Sequence, residues 1–407
     1  MREAQLAPQS AANPSPELFS TESLPTAQPE LKIGVWAVRN PGDFVAIAAE
    51  WDRLHAEAAV ASVFNSWMWQ YAWWTLYGSG RRLNLLVASR GSAIVGILPL
   101  YAETVTAFGL SVRMLRFIGC GGDTHPDDIG PLLALGHERA AARALADALF
   151  RMKDFDVLQL SDIDARSDFP AVALEAAAAA QMKCTVERSQ RIVYIDLPRD
   201  WKMFLSSLSG RRRAQMRAKR ARFTKEHGAR FFVWQDAAQL DRAAERLAHL
   251  HRKRWAGASE SFASPQYVDL HRAAMRECLE RDRLRLYCLE IAGEIAAMLY
   301  CYRFRNRIFL VQAGFDPAYA KWSPGSVLLG HAIEHAIGEG NEAFDFLRGN
   351  HDYKEELATG SRETVCLTAY RPTIGAAAYR ARRVYLARTK AKLAQIARTI
   401  RTGPPSQ

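Results

Sequence analysis

The chain carries no acidic residue after Glu363, no Cys-x-x-Cys pair, and no apolar run approaching the ~20 residues needed to cross a bilayer. Each absence excludes something. The six cysteines (Cys120, Cys184, Cys278, Cys288, Cys301, Cys366) are too scattered for a zinc knuckle or a disulfide framework. A reducing cytoplasm is therefore the expected compartment. The first 30 residues lack an apolar h-region, which argues against a secretory signal. Their Pro, Ser, Ala and Gln content predicts a disordered leader. The missing acids make the tail lopsided: from Thr364 onward nine Lys or Arg supply +9 of the net +11. The remainder is nearly balanced, so charge alone does not make this a nucleic-acid-binding protein.

What is present reads as a globular α/β chain. Its 407 residues, 49% hydrophobic and 24% charged, suffice for two ordinary domains. In the second half, residues 284–291, 294–304 and 307–315 read as three strands with short connections, hence an antiparallel meander. A breaker-rich loop, a helix ending at glycine and the strand FDFLRG follow. A strand after a helix most simply lies parallel to the third. The first half repeats this order: strands at 83–89, 93–101 and 111–119, an Ala-rich helix at 137–152, and FDVLQLS at 155–161. The two closing strands share F-D-x-L, and an internal duplication is the favoured reading. Boundaries fall at 31–195 for a first lobe, 196–372 for a second, and 373–407 for a basic tail.

Meander, loop, helix and parallel strand is the layout of the GNAT acyltransferase fold. The second half resembles the branch grouped with CelD-type cellulose-biosynthesis proteins, on HRKRW (251–255), GEIAA (293–297), GFDPAYAKWSPGSVLL (314–329) and FDFLRGNHDYK (344–354). Doubled units also resemble the Fem peptidyltransferases. The resemblance implies two tandem GNAT-like lobes, each with a mixed, largely antiparallel sheet flanked by helices. It implies transfer of an acyl or acetyl group from acyl-CoA to an amine or hydroxyl, without a metal. The acceptor would be a small molecule or glycan precursor in polysaccharide or envelope assembly. One alternative is a Fem-like transferase using aminoacyl-tRNA, in which tRNA would be the nucleic-acid partner. Another is a non-catalytic protein that binds membranes or polyanions.

Residue chemistry supplies candidates. KWSPGS precedes a helix whose N-terminal N–H groups suit a pyrophosphate. Lys321, Ser323, Gly325 and Ser326 would hold it, although the Gly pattern is degenerate and Pro324 has no N–H to give. A Ser-Pro cap is the alternative use of the same residues. The third strand, through Gln312, Gly314 and Phe315, would offer backbone N–H groups if it splays from the fourth. Asp345 or Asp352 is the expected base, and Tyr353 the proton donor to a leaving thiolate. Lys354 and Arg348 would hold an anionic group. In the alternative, Asp345 and Arg348 pair with each other. The resemblance makes Arg254 and Trp255 acceptor-pocket residues; otherwise they anchor a helix.

Three further signals invite other readings. HAIEH (331–335) matches an inverted zinc-protease motif, yet no acid lies far enough downstream to complete it. The aromatic run Trp67, Trp69, Tyr71, Trp73 and Trp74 fits a packed helix better than a sugar platform. The segment 209–230, with nine Lys or Arg against one Glu, suits a phosphate backbone, an anionic substrate or a solvated face. In the tail, Tyr379, Leu386, Leu393 and Ile400 recur every seventh residue among cations. That pattern fits a basic amphipathic helix on an anionic membrane face, or one packed on the second lobe.

Overall fold

The computed structural model describes Lys32–Ala256, Ser259, Ser261–Gly349 and His351–Thr402; the leader expected over residues 1–30 lies outside these residues. Ile33–Gln407 forms one compact unit. The first half runs β1 (Ile33–Val38), α1 (Pro41–Ala46), α2 (Ala48–Glu57), α3 (Trp67–Tyr77), β2 (Arg82–Leu83), β3 (Leu85–Arg90), β4 (Ala93–Leu98), β5 (Leu100–Ala107), β6 (Leu110–Phe117), β7 (Leu132–Leu133), α4 (Glu138–Arg151), β8 (Val157–Asp164), α5 (Phe169–Ala179) and β9 (Lys183–Asp196). The second runs α6 (Trp201–Ser207), α7 (Gly210–His227), β10 (Arg230–Val233), α8 (Leu240–Trp255), α9 (Pro265–Glu280), β11 (Leu284–Ile291), β12 (Glu294–Phe304), β13 (Arg307–Phe315), α10 (Pro324–Gly338), β14 (Ala343–Asp345), α11 (Asp352–Leu357), β15 (Gly360–Tyr370) and α12 (Ile374–Thr402).

The expected duplication of order is visible. β11, β12 and β13 form the antiparallel meander, and β14 joins β13 in parallel; in the first half β5 and β6 are antiparallel and β8 joins β6 in parallel. The first meander differs at Pro99, which cannot donate to a ladder. There the chain leaves the four-stranded sheet β1-β3-β4-β7 and enters the large one as β5.

The large sheet has the order β10-β11-β12-β13-β14-β9-β15-β8-β6-β5-β2. β9 closes the first half in sequence but pairs with β14 of the second. β15 closes the second half but pairs with β8 of the first. The two exchanged strands then pair with each other from Gly360↔Tyr194 to Tyr370↔Lys183. Neither half has a complete sheet without a strand from the other.

Helices enclose this sheet by the spacing of their apolar residues. In α8 the buried positions Leu240, Ala243, Ala244, Leu247, Leu250 and His251 recur on one face, and Arg252, Lys253 and Arg254 lie in the last turn, where the helix dipole favours cations. One core spans both halves, from Trp51, Trp73 and Tyr101 to Leu250, Tyr300 and Leu367; a second lies under α10 against Leu289, Leu299 and Phe344.

Burial keeps several histidines neutral. It lowers His55 and His251 to about 4 and His271 to about 3. In the unfolded chain these rings take up protons near pH 6.5, whereas in the folded chain they do so only well below that. Stability is therefore lost as pH falls from about 6.5 toward 4, by up to about 1.4 kcal/mol per pH unit for each ring. Carboxyls raised by burial oppose the trend: Asp128, to about 7, and also Asp127 and Glu277. Thermal denaturation should show the melting temperature falling across this window; a flat profile contradicts the assignment.

Candidate active site

β13 and β14 pair only over Arg307–Phe309 and Ala343–Asp345. Beyond Phe309 the two strands part, and the edge of β13 toward β14 carries no ladder. β13 also has a bulge, since Tyr300 opposes Gln312 and Cys301 opposes Leu310, leaving Val311 unpaired. The extra residue breaks the strict alternation of side chains. Val311 and Gln312 consequently share one face, while Leu310, Ala313 and Phe315 serve the other. A cavity lies on each side.

The first cavity, about 230 Å³, is lined by Arg254, Ala313, Phe315, Ser323, Gly325, Ser326 and Tyr353 among others. It ends at the first turn of α10. Ser323 adopts φ 59° and precedes Pro324, the first residue of that helix. Ser323 Oγ accepts from Lys219 Nζ at 3.2 Å, so α7 brings a cation to the helix N-terminus. A Cβ on Gly325 would lie 3.6 Å from the Phe315 ring, and the missing side chain keeps the space open. The Arg254 guanidinium lies over the Phe315 ring at 5.1 Å and the Trp255 ring at 4.8 Å. Burial lowers the Arg254 pKa and raises that of Tyr353, whose hydroxyl interacts with Arg254. A further trough of about 120 Å³ along α7, lined by Arg212, Gln215 and Lys219, shares Ser326, Leu329 and Tyr353 with this cavity.

The second cavity, about 280 Å³, lies between the halves. Phe64, Trp69, Asp123, His125 and Asp127 come from the first; Tyr267, His271, Gln312 and Arg348 come from the second. Asp123 accepts from the Tyr77 hydroxyl at 2.7 Å and from Ser264 Oγ. Among the described residues it is in no salt bridge. Gln312 Nε2 donates to Ser261 Oγ at 3.2 Å and Tyr267 Oη at 3.1 Å. His271, neutral through burial, contacts Tyr300 Oη through Nδ1 at 3.4 Å. Among the described residues the indole N–H of Trp69 has no hydrogen-bond partner.

Beneath this cavity sits an ion network. Arg348 Nε donates to Asp127 Oδ1 at 2.8 Å, and Arg348 Nη2 lies 2.8 Å from Asp162 Oδ2. Arg362 Nε donates to Asp345 Oδ2 at 2.8 Å and its Nη1 to Asp128. Lys354 is buried and donates through Nζ to the carbonyls of Phe346 at 2.9 Å and Arg348 at 2.7 Å. Burial lowers its pKa to about 8, against the charges of Asp127 and Asp345.

The expected residues thus divide. Arg254, Phe315, Ser323, Gly325, Ser326 and Tyr353 meet at the first cavity, where Arg254 was expected on the acceptor side. Gln312 belongs to the second cavity, because the bulge turns it away from the first. Gly314 lines neither cavity; a Cβ there would lie 2.6 Å from the His251 backbone N, so the glycine serves the packing of α8. Lys321 lies over the Trp322 ring at 4.1 Å. Trp255 packs against His351, at 5.6 Å between rings. Asp352 is exposed at the start of α11. Asp345 is fully buried against Arg362 and lines neither cavity, which corrects its expected role as a base. Arg348 pairs with Asp127 and Asp162 rather than with Asp345, and its occupied guanidinium is a structural tie at the cavity wall. Lys354 is likewise held by backbone carbonyls.

Sequence reasoning missed Asp123, Asp127 and Asp128 in CGGDTHPDDIG, although three acids beside paired glycines after a strand are the same kind of signal as residues 348–354. Lys219 was unreachable, because its place over α10 depends on tertiary packing. HAIEH has a structural use: Arg220 donates to His331 and Glu334, and the His331 ring stacks on Phe231 at 3.5 Å.

Replacing Lys354 by Met should leave buried carbonyls without their donor and cost roughly 2–3 kcal/mol. Denaturant unfolding measures this; an unchanged midpoint would show that the ammonium does not hold the segment.

Comparison with known proteins agrees with this architecture. No curated protein matches the chain. Solved structures share the fold, two of them as follows. One, FemX, has a TM-score of 0.56 at 10% identity, covering 79% of this chain and 95% of that one. The other, a conserved protein of unknown function from Bacteroides thetaiotaomicron VPI-5482, has a TM-score of 0.51 at 11% identity, covering 83% and 100%. Residues 210–355, from α7 into α11, match the acetyltransferase (GNAT) domain.

Proposed function

We propose that the protein transfers an acyl group from acyl-CoA to a primary amine. The observation that carries this reading is the pair of cavities on opposite sides of β13, where it parts from β14. The donor's pyrophosphate would lie at the N-terminus of α10, beside Lys219, Ser323 and Ser326. Its pantetheine amides would meet the unpaired edge of β13, where backbone N–H and C=O groups need partners. The thioester would then lie near the bulge, within reach of the inter-lobe cavity.

That cavity suits an ammonium group. Asp123 offers a carboxylate with no cationic partner among the described residues, and the Trp69 and Tyr267 rings line the same space. Lost as a proton to Asp123 or to water, the positive charge leaves an amine lone pair free to attack the thioester carbonyl. The C–N bond forms and the C–S bond breaks. The nitrogen, positive on attack, would give up its extra proton to water, and the leaving thiolate would take a proton from Tyr353 at the donor cavity, whose phenolate would regain one from water. A glycan-precursor acceptor remains compatible with the cavity's rings and carboxylate.

A second reading has its own support. The trough along α7 continues the donor cavity past Arg212 and Lys219, which suits a longer phosphate-bearing donor such as aminoacyl-tRNA.

Calorimetric titration separates the two. Acetyl-CoA or a longer acyl-CoA should bind in the micromolar range, and Gly325→Val, which fills the space beside Phe315, should weaken it by roughly tenfold or more. Absence of binding by either acyl-CoA, with binding of charged tRNA, would favour the second reading. On the acceptor side, Asp123→Asn should raise KM for an amine by roughly 10–100-fold while acyl-CoA affinity stays unchanged. An equal KM removes Asp123 from acceptor binding.

A further inference from the structure

Two separate parts of the chain that touch each other carry exposed, unexplained apolar groups. The first is the turn between β5 and β6. Phe108 and Gly109 both adopt positive φ, 48° and 79°, the pattern of a tight hairpin turn. Glycine takes that conformation freely, but a bulky side chain is strained there. Phe108 nevertheless remains 63% exposed, and neighbouring Leu110 is 42% exposed. Folding gains little from either, since neither ring nor isobutyl group is buried.

The second part is α12. Its first turns pack on the same hairpin: Ala376 is buried with Ala107, Val112, Met114 and Val157, and Tyr379 packs against that cluster. Arg382 Nη1 donates to the Thr106 carbonyl at 2.9 Å, two residues before Phe108. The stripe begun by Tyr379 then continues bare, with Leu386 51% and Leu393 61% exposed. Tyr385 is a further exposed ring on this helix. Arg380, Arg382, Arg383, Arg388 and Lys392 are interspersed, and no acid occurs anywhere beyond Glu363.

We propose that the β5–β6 turn and α12 together form a docking face for an anionic lipid bilayer. The cations would meet lipid phosphates, and Phe108, Leu110, Leu386 and Leu393 would enter the acyl boundary. A polyanion such as nucleic acid would use the cations alone and leave the apolar groups without a role. The contact is interfacial: among the described residues no helix is long and apolar enough to cross a membrane.

Flotation of the full chain with phosphatidylglycerol-containing vesicles and with pure phosphatidylcholine vesicles tests the proposal. Wild type should float with the anionic vesicles only. Phe108→Asn places in the turn a residue that tolerates positive φ, so its melting temperature should hold or rise while vesicle affinity falls by ~10-fold. Leu386→Ser combined with Leu393→Ser, both on the exposed stripe, should act in the same direction. The proposal is overturned if wild type does not float, or if the variants float as wild type does. Equal flotation together with equal retention of all forms on heparin would identify a surface that reads charge alone.

Discussion

Four carboxylates, Asp127, Asp128, Asp162 and Asp345, are buried at the meeting of the two halves. Taking even one carboxylate out of water is costly unless a cation goes with it. Arg348 and Arg362 meet that requirement: Arg348, from the second half, pairs with Asp127 and Asp162 of the first, and Arg362 joins Asp128 of the first half to Asp345 of the second. Such pairs contribute little net stability, but their geometry is demanding. They fix the 119–130 loop against the end of β14, and the floor of the inter-lobe cavity is that junction.

The same junction separates the two cavities beside β13. The cavity at the start of α10 is built from the second half alone, at β12, β13, α8, α10 and α11. The inter-lobe cavity needs both halves. One extra residue in β13 turns Gln312 away from the first cavity and lets a single strand serve as the wall between the two.

Much of this was legible in the sequence. The strands 284–291, 294–304 and 307–315 have the bounds their alternation and turns imply, and β14 and β8 lie parallel to β13 and β6 as a helix crossover requires. That Ser323, Gly325 and Ser326 lie together at the start of α10 was readable because a helix N-terminus is a local feature. β9 and β15 were not, since their partners lie far away along the chain and nothing local specifies an exchange. For the same reason charged residues at strand ends misled. Asp345, Arg348 and Lys354 look reactive in isolation, and only the fold reveals that each is already engaged. Asp123 shows the reverse: three acids beside paired glycines mark its loop in the sequence, but only the fold shows that Asp123, unlike Asp127 and Asp128, has no counter-ion among the described residues.

The strand exchange also bears on how the protein is made. β8 ends at Asp164, but the strand that covers it, β15, begins at Gly360. At ~5–20 residues per second, a ribosome needs roughly 10–40 s to supply the missing partner. During that interval a nascent first half presents an open sheet edge, the kind of surface on which chains aggregate. The lobes of this protein therefore mature together and late, and a growing chain has a stretch of its synthesis in which shielding by a chaperone would matter most.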